Sequence, residues 1–339
     1  MNKMTKLGVS ALCGSLAAIS TANAGDLSVT GGVDMSWVSL EDTATGNPIG
    51  IGSNLTFSGS GELDNGWNVA LSVAMTNLDA YSNTNVVVTV PSLGDIRIDQ
   101  GTSGTGIDRI DDVTPNVWEE AWGTAVGTGI DLIAGVSGGS NIEYTPNMLP
   151  DGLTARVSYS PKVNGSNASD KGTSGGGAAS AAGSGYDITL VADSAILGME
   201  GLTLYGGISE TEQYVDSAAI NGDKEEQTWA IKYAMGGFTL GYQWSEEDLG
   251  RATDPKEYEN TAYGVTFQIN DDLSVGYSNY ESEQKSATAT TAEATAISVA
   301  YSMGGASIRL AMGDVDNAAY QTTSAFDKEV TTLSVSLAF

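Results

Sequence analysis

From Leu27 to Trp37 the odd positions read Leu27, Val29, Gly31, Val33, Met35 and Trp37, and the even ones Ser28, Thr30, Gly32, Asp34 and Ser36. Side chains on an extended backbone point alternately to opposite faces, so this period of two predicts a strand with one apolar and one polar face. The same alternation returns at 51–63, 67–75, 84–90, 95–100, 141–146, 153–159, 186–190 and 202–208. It continues at 229–235, 238–244, 263–269, 273–277, 297–303, 306–312 and 332–339, which makes sixteen predicted strands. The runs at 84–90, 95–100 and 141–146 mark their ends least clearly.

The connections alternate as well. Asp64-Asn65-Gly66, Pro91 to Gly94, Gly236-Gly237, Asn270 to Asp272 and Gly304-Gly305 are tight turns, rich in residues that accept positive φ or bond to a nearby backbone amide. The intervening connections are longer, above all 101–140 and 161–185. Short turns at one end and long loops at the other describe an antiparallel up-and-down meander. A soluble sandwich would hide its apolar faces in a thin core. A transmembrane β-barrel turns them to lipid and its polar faces to an aqueous interior, with an even number of strands and short turns on the periplasmic side. The alternation matches the barrel, and no run of residues is apolar enough for a membrane-spanning helix.

Composition narrows the function. The chain has 42 Asp and Glu against 14 Lys and Arg, a formal charge of −28, and no His. A field of that sign repels nucleic acid. Lack of His excludes Ser-His-Asp chemistry and His-ligated metal centres, so no enzyme is expected. The glycine-rich "GTSGTG" at 101–106 is followed by no Lys-Ser/Thr and is not a phosphate-binding loop. Low-complexity residues within 161–185 predict a surface loop. At the N-terminus, Lys3 and Lys6, a short apolar run and Ala22-Asn23-Ala24 predict an export signal over 1–24 and a barrel over 25–339.

The final eight residues, "TLSVSLAF", alternate up to the terminal Phe339. In a closed barrel the last strand pairs with the first, which leaves no open edge in lipid. The ending looks like the terminal signal of outer-membrane proteins. Together with the sixteen strands, "VPSLGDIRIDQG" and "IDRIDDV", between Val90 and Val113, resemble the fifth-strand and constriction-loop region of alphaproteobacterial porins. The chain thus resembles the Gram-negative general diffusion porins. That resemblance implies an outer-membrane homotrimer, each subunit enclosing a water-filled channel narrowed by the infolded third outer loop, here 101–140.

On that reading the constriction carries Asp108, Asp111, Asp112, Glu119, Glu120 and Asp131 with one base, Arg109. Register turns Arg97 and Arg156 into the lumen, with Lys232 and Arg309 farther round. In similar porins wall bases oppose loop acids across the narrowest point, so Arg97 and Arg156 are candidates for that role. Salt bridges to Asp34, Glu62, Asp99 or Glu143 are the alternative. "TPNVWEEAWG" predicts a short helix with Thr114 as N-cap, Pro115 at its first position and Gly123 closing it, and Trp118 and Trp122 on one face. Asp108, Asp111 and Asp112 form the best group for a Ca²⁺ ion, a hard cation that takes several oxygens; no other cofactor is expected. The acidic balance favours passage of cations and small hydrophilic solutes. Two rivals stay open: a substrate-specific channel of the same architecture, and a plugged barrel with a structural or adhesive role.

Overall fold

The computed structural model describes residues 27–40, 47–76, 80–100, 104–118, 121, 127–130, 132–163, 182–213 and 220–338. The leader over 1–24, Glu119, Glu120, Trp122, Gly123, Asp131 and Phe339 lie outside the described residues. The first eight strands are β1 (Ser28–Leu40), β2 (Ile49–Glu62), β3 (Asn68–Thr76), β4 (Ala80–Val90), β5 (Gly94–Asp99), β6 (Asn141–Pro146), β7 (Leu153–Ser160) and β8 (Ala182–Ala192). The others are β9 (Leu202–Gln213), β10 (Lys224–Met235), β11 (Phe238–Asp248), β12 (Glu257–Gln268), β13 (Leu273–Lys285), β14 (Thr290–Met303), β15 (Ala306–Asp316) and β16 (Lys328–Ala338).

Each strand pairs antiparallel with its neighbours in sequence, and β1 pairs with β16 from Gly32↔Ala338 to Leu40↔Val330. The sheet is therefore a closed barrel of sixteen strands. Closure satisfies every ladder within the sheet, which lipid requires because an unpaired amide finds no water there. Gly32 sits at the seam: a Cβ there would lie 2.8 Å from the Leu337 carbonyl oxygen.

The outward face is the apolar one. Trp37, Ile51, Ile98, Ile188, Trp229, Leu240 and Ile297 are exposed there. In a soluble protein such a surface would be a liability. On a barrel it is the lipid-facing belt. Aromatic residues stand near both ends of the belt, Trp67 and Phe238 by the short turns, Trp37 and Tyr159 by the loops. Gly66, with φ of 79°, closes the first short turn by donating to the Leu63 carbonyl at 2.8 Å. Between β8 and β9 the turn includes a four-residue helix α1 (Ser194–Leu197), capped where the Asp193 carboxylate accepts from Ala195 N–H at 2.8 Å.

Strand existence follows the alternation, and strand ends depart from it. The run at 84–90 lies within the longer β4, which begins at Ala80. β10 begins at Lys224, five residues before the apolar run at Trp229, and β11 extends to Asp248. Above the lipid both faces of a strand meet water, so the ladder continues where the apolar signal has stopped.

Candidate functional site

The segment after β5 turns into the lumen rather than away from it. Arg97, facing inward on β5, binds the Asp99 carboxylate at 2.6 Å and donates to the Gly104 carbonyl at 3.3 Å. Arg97 is thus engaged at the base of the loop, in the salt bridge weighed against its constriction role. A 3-10 turn, Gly106–Ile110, follows.

Three wall carboxylates hold the loop by its backbone. Glu143 on β6 accepts from Gly106 N–H at 2.8 Å and pairs with Arg109 at 2.6 Å. Asp187 on β8 accepts from Ile107 N–H at 2.9 Å and Val136 N–H at 3.1 Å. Glu226 on β10 accepts from Ala134 N–H at 3.0 Å and Gly135 N–H at 2.8 Å. All three are almost fully buried. A carboxylate is the fitting acceptor, because charged hydrogen bonds are the strong ones and an amide buried without a partner is costly.

Between those anchors the loop lies along the inner wall. Gln243 on β11 receives Val113 N–H at 3.2 Å and donates to the Asp111 carbonyl at 2.8 Å. Inward glycines on β9, β11, β12 and β13 make the room. A Cβ on Gly207 would lie 2.9 Å from Ile107, one on Gly264 2.5 Å from the Pro115 carbonyl oxygen, and one on Gly276 2.7 Å from Val117. Gly241 faces the Pro115 ring in the same way. Farther along, Ala121 belongs to a buried apolar cluster with Ala262, Tyr280, Ala294, Ala296, Val315, Ala318 and Val330. That patch is one of the buried apolar clusters among the described residues; Tyr258, Ala292 and Tyr320 form another, and Ile107, Ile110, Ile133 and Val136 of the loop are fully buried as well.

This docking changes two expectations. Of the expected helix over 114–123, Thr114 to Trp118 are irregular and lie against the glycines of β11 to β13, the buried Thr114 hydroxyl caps nothing, and Ala121, the one other described residue of the segment, is in a 3-10 turn. Tertiary packing outweighs the local helix signal there. Asp108, Asp111 and Asp112 do not gather around one ion position. Asp108 turns back to accept from Gly104 N–H, and among the described residues the three carboxylates that do approach one another are Glu246, Glu257 and Glu259. Lys285 already binds two members of that trio, Glu257 at 3.6 Å and Glu259 at 2.5 Å. Burial pushes the Asp108 carboxyl above its ordinary value; hydrogen bonds from Gly104 and Ser137 oppose this and the Asp112 charge adds to it.

The other candidates are distributed unevenly. Arg156 on β7 makes no ion pair among the described residues. Arg309 on β15 binds Asp34 on β1 and places its guanidinium 5.0 Å from the Trp118 ring centre. Lys232 on β10 stands 5.5 Å from the centre of the Tyr205 ring. Sequence reasoning missed the docking residues Asp187, Glu226, Gln243 and the four glycines. Part of their signal is present in the inward glycines of "LGYQW", "AYGVT" and "SVGYS", but only closure of the barrel brings them under one loop.

The fold agrees with solved outer-membrane structures. Against Salmonella typhi OmpF in complex with daunomycin the TM-score is 0.68 at 13% identity, with 93% of this chain and 98% of that chain covered. For outer-membrane expressed OmpT of Vibrio cholerae the values are 0.65 and 13%, over 94% of this chain and 99% of that one. For the anion-selective porin from Comamonas acidovorans they are 0.64 and 14%, over 93% and 100%. No curated protein is similar enough in sequence to count as a match. The family model described as Gram-negative porin matches residues 8–320. With that match over nearly the whole chain, on a closed barrel whose inner wall carries a docked loop, this protein belongs to the Gram-negative porin family.

Proposed function

We propose that this outer-membrane diffusion channel passes small hydrophilic solutes and ions without energy input, and favours cations weakly. The observation that carries the reading is the infolded loop tied to the inner wall of a closed barrel by Glu143, Asp187 and Glu226. Such a loop narrows an aqueous passage and leaves the outward face to lipid. The formal charge of −28 supports the cation preference, since carboxylates around a mouth raise the local cation concentration most at low salt. The constriction is read as the loop acids Asp111 and Asp112 with Arg156 as the wall base; Glu119, Glu120 and Asp131 of the same loop lie outside the described residues.

A homotrimer fits the unequal wall. β5 and β6 have six residues each. At roughly 3.3 Å per residue that is about 20 Å of strand before tilt, less than the apolar band of about 25 Å. The outward positions of β1 to β8 carry no charged side chain among the described residues, whereas those of β9 to β16 carry Glu210, Glu225, Glu259 and Asp314 near the loops. A low, uncharged wall suits burial against a second copy, and a tall wall with an acidic rim suits lipid and headgroups. Residues 1–24 are read as the leader removed on export.

Planar-bilayer recording of the purified protein under a KCl gradient tests the reading. Ohmic steps with a reversal potential of cation sign are expected. An anion-sign potential overturns the selectivity, and absence of conductance from intact oligomers favours a plugged barrel.

A further inference from the structure

Arg156 on β7 aside, the lumen's charges are nearly all engaged with one another. Arg97 binds Asp99, Arg109 binds Glu143, Arg309 binds Asp34, and Lys224 binds both Glu226 and Glu247. Lys232 is an exception: among the described residues it has no carboxylate within ion-pair distance, and its neighbour is the Tyr205 ring. Asp112 is a second exception, with neither an ion pair nor a hydrogen bond among the described residues. Both line one cavity of about 860 Å³ directly beneath the docked loop, together with Asn116, Trp118, Thr203 and Thr239.

We propose that this cavity binds small zwitterionic solutes of amino-acid size, carboxylate on Lys232 and ammonium on Asp112. The proposal rests on the channel reading above and names a solute class for it. Two opposite charges that share a cavity attract each other, yet these two do not meet. Each is held back: Gln243 fixes the backbone on either side of Asp112 through Val113 N–H and the Asp111 carbonyl, and Lys232 lies over Tyr205. A solute that carries both charges fills the gap and satisfies both ends. A sugar satisfies neither charge, a simple anion leaves Asp112 beside it, and a simple cation leaves Lys232. Thr203 and Thr239 supply hydrogen bonds to the rest of a polar solute, and Trp118 supplies a flat wall.

Bilayer recordings with L-glutamine and glucose as probes, paired with calorimetric titration of L-glutamine into the detergent-solubilised protein, test this. Concentration-dependent current block and a saturable heat are expected for glutamine and not for glucose. Lys232→Gln and Asp112→Asn should each weaken glutamine block about tenfold, the loss of one charge-assisted contact. The charge-swapped double variant Lys232→Asp/Asp112→Lys should recover most of it, because a zwitterion can bind reversed; a purely structural role predicts no recovery. An open channel that glutamine does not block, or block unchanged in both single variants, overturns the site and leaves the channel reading intact. Saturable heat without conductance overturns the channel reading and supports the site; neither heat nor conductance overturns both.

Discussion

The ring of Trp118, on the infolded loop, stands 5.0 Å from the guanidinium of Arg309 on β15, which is itself paired with Asp34 on β1. The loop leaves the wall at β5 and so reaches the far side of the lumen beside the β1–β16 seam. Cation–π contacts contribute about 0.5–2 kcal/mol, more when desolvated. Trp118→Ala should loosen this far end without unfolding the barrel. Greater open-channel current noise and a changed single-channel conductance are expected, with thermal unfolding within a few degrees of wild type. An unaltered trace would show that Trp118 does not restrain the loop.

The glycine track makes a steric prediction. A side chain on Gly264 would meet the Pro115 carbonyl oxygen and the Thr114 methyl carbon, and one on Gly276 would meet Val117. These contacts involve the loop's backbone as well as its side chains, so the loop must move. Gly264→Val should alter conductance and expose the loop to protease, while outward Val265→Leu, one residue away, should do neither. Equal behaviour of the two variants would refute the docking geometry.

Asp187 holds both limbs of the loop through Ile107 and Val136. Asp187→Ala removes one acceptor and leaves two buried amides unpaired, at roughly 1–3 kcal/mol each. The expected result is a lower temperature of detergent-resistant unfolding and wider scatter of single-channel conductance. Asp187→Asn, which keeps one carbonyl acceptor, should fall between the two. If Asn were worse than Ala, acceptor loss would not be the cause.

Burial raises the Asp108 carboxyl above its ordinary value. A raised acid is protonated at a higher pH in the folded protein than in the unfolded chain. Its neutral form therefore stabilises the docked loop below the ordinary carboxylate range, and that contribution is lost as pH rises through the raised value. As pH falls through the same window the loop loses a negative charge beside Asp112, so cation preference should weaken. Asp108→Asn should remove that step from a plot of reversal potential against pH. Persistence of the step in the variant would assign it to another group.

The barrel was legible in the residues because period two is a local property. Leu27 to Trp37 alternates whatever it pairs with, and Gly236-Gly237 turns whatever precedes it. Strand ends were less legible: at Lys224 and Asp248 the chain continues its ladder in water, where nothing selects for apolar side chains. The site was legible only in outline. Asp108, Asp112, Arg97 and Arg156 were identifiable as inward or loop charges, but which of them is paired depends on partners far along the chain. Arg109 and Glu143 are thirty-four residues apart, and Gln243 and Asp111 one hundred and thirty-two.

By itself, then, the sequence determined sixteen alternating strands, the short-turn end, the lipid-facing side and the acidic balance, because each depends on neighbours a few residues apart. Tertiary structure alone decided that Thr114 to Trp118 would not be a helix, that Arg97 would be paired, and that Lys232 and Asp112 would share a cavity unpaired. Those outcomes depend on closing the sheet. Closure brings β8, β10, β11 and β15 around one loop, and the space and acceptors found there override what each short segment prefers alone.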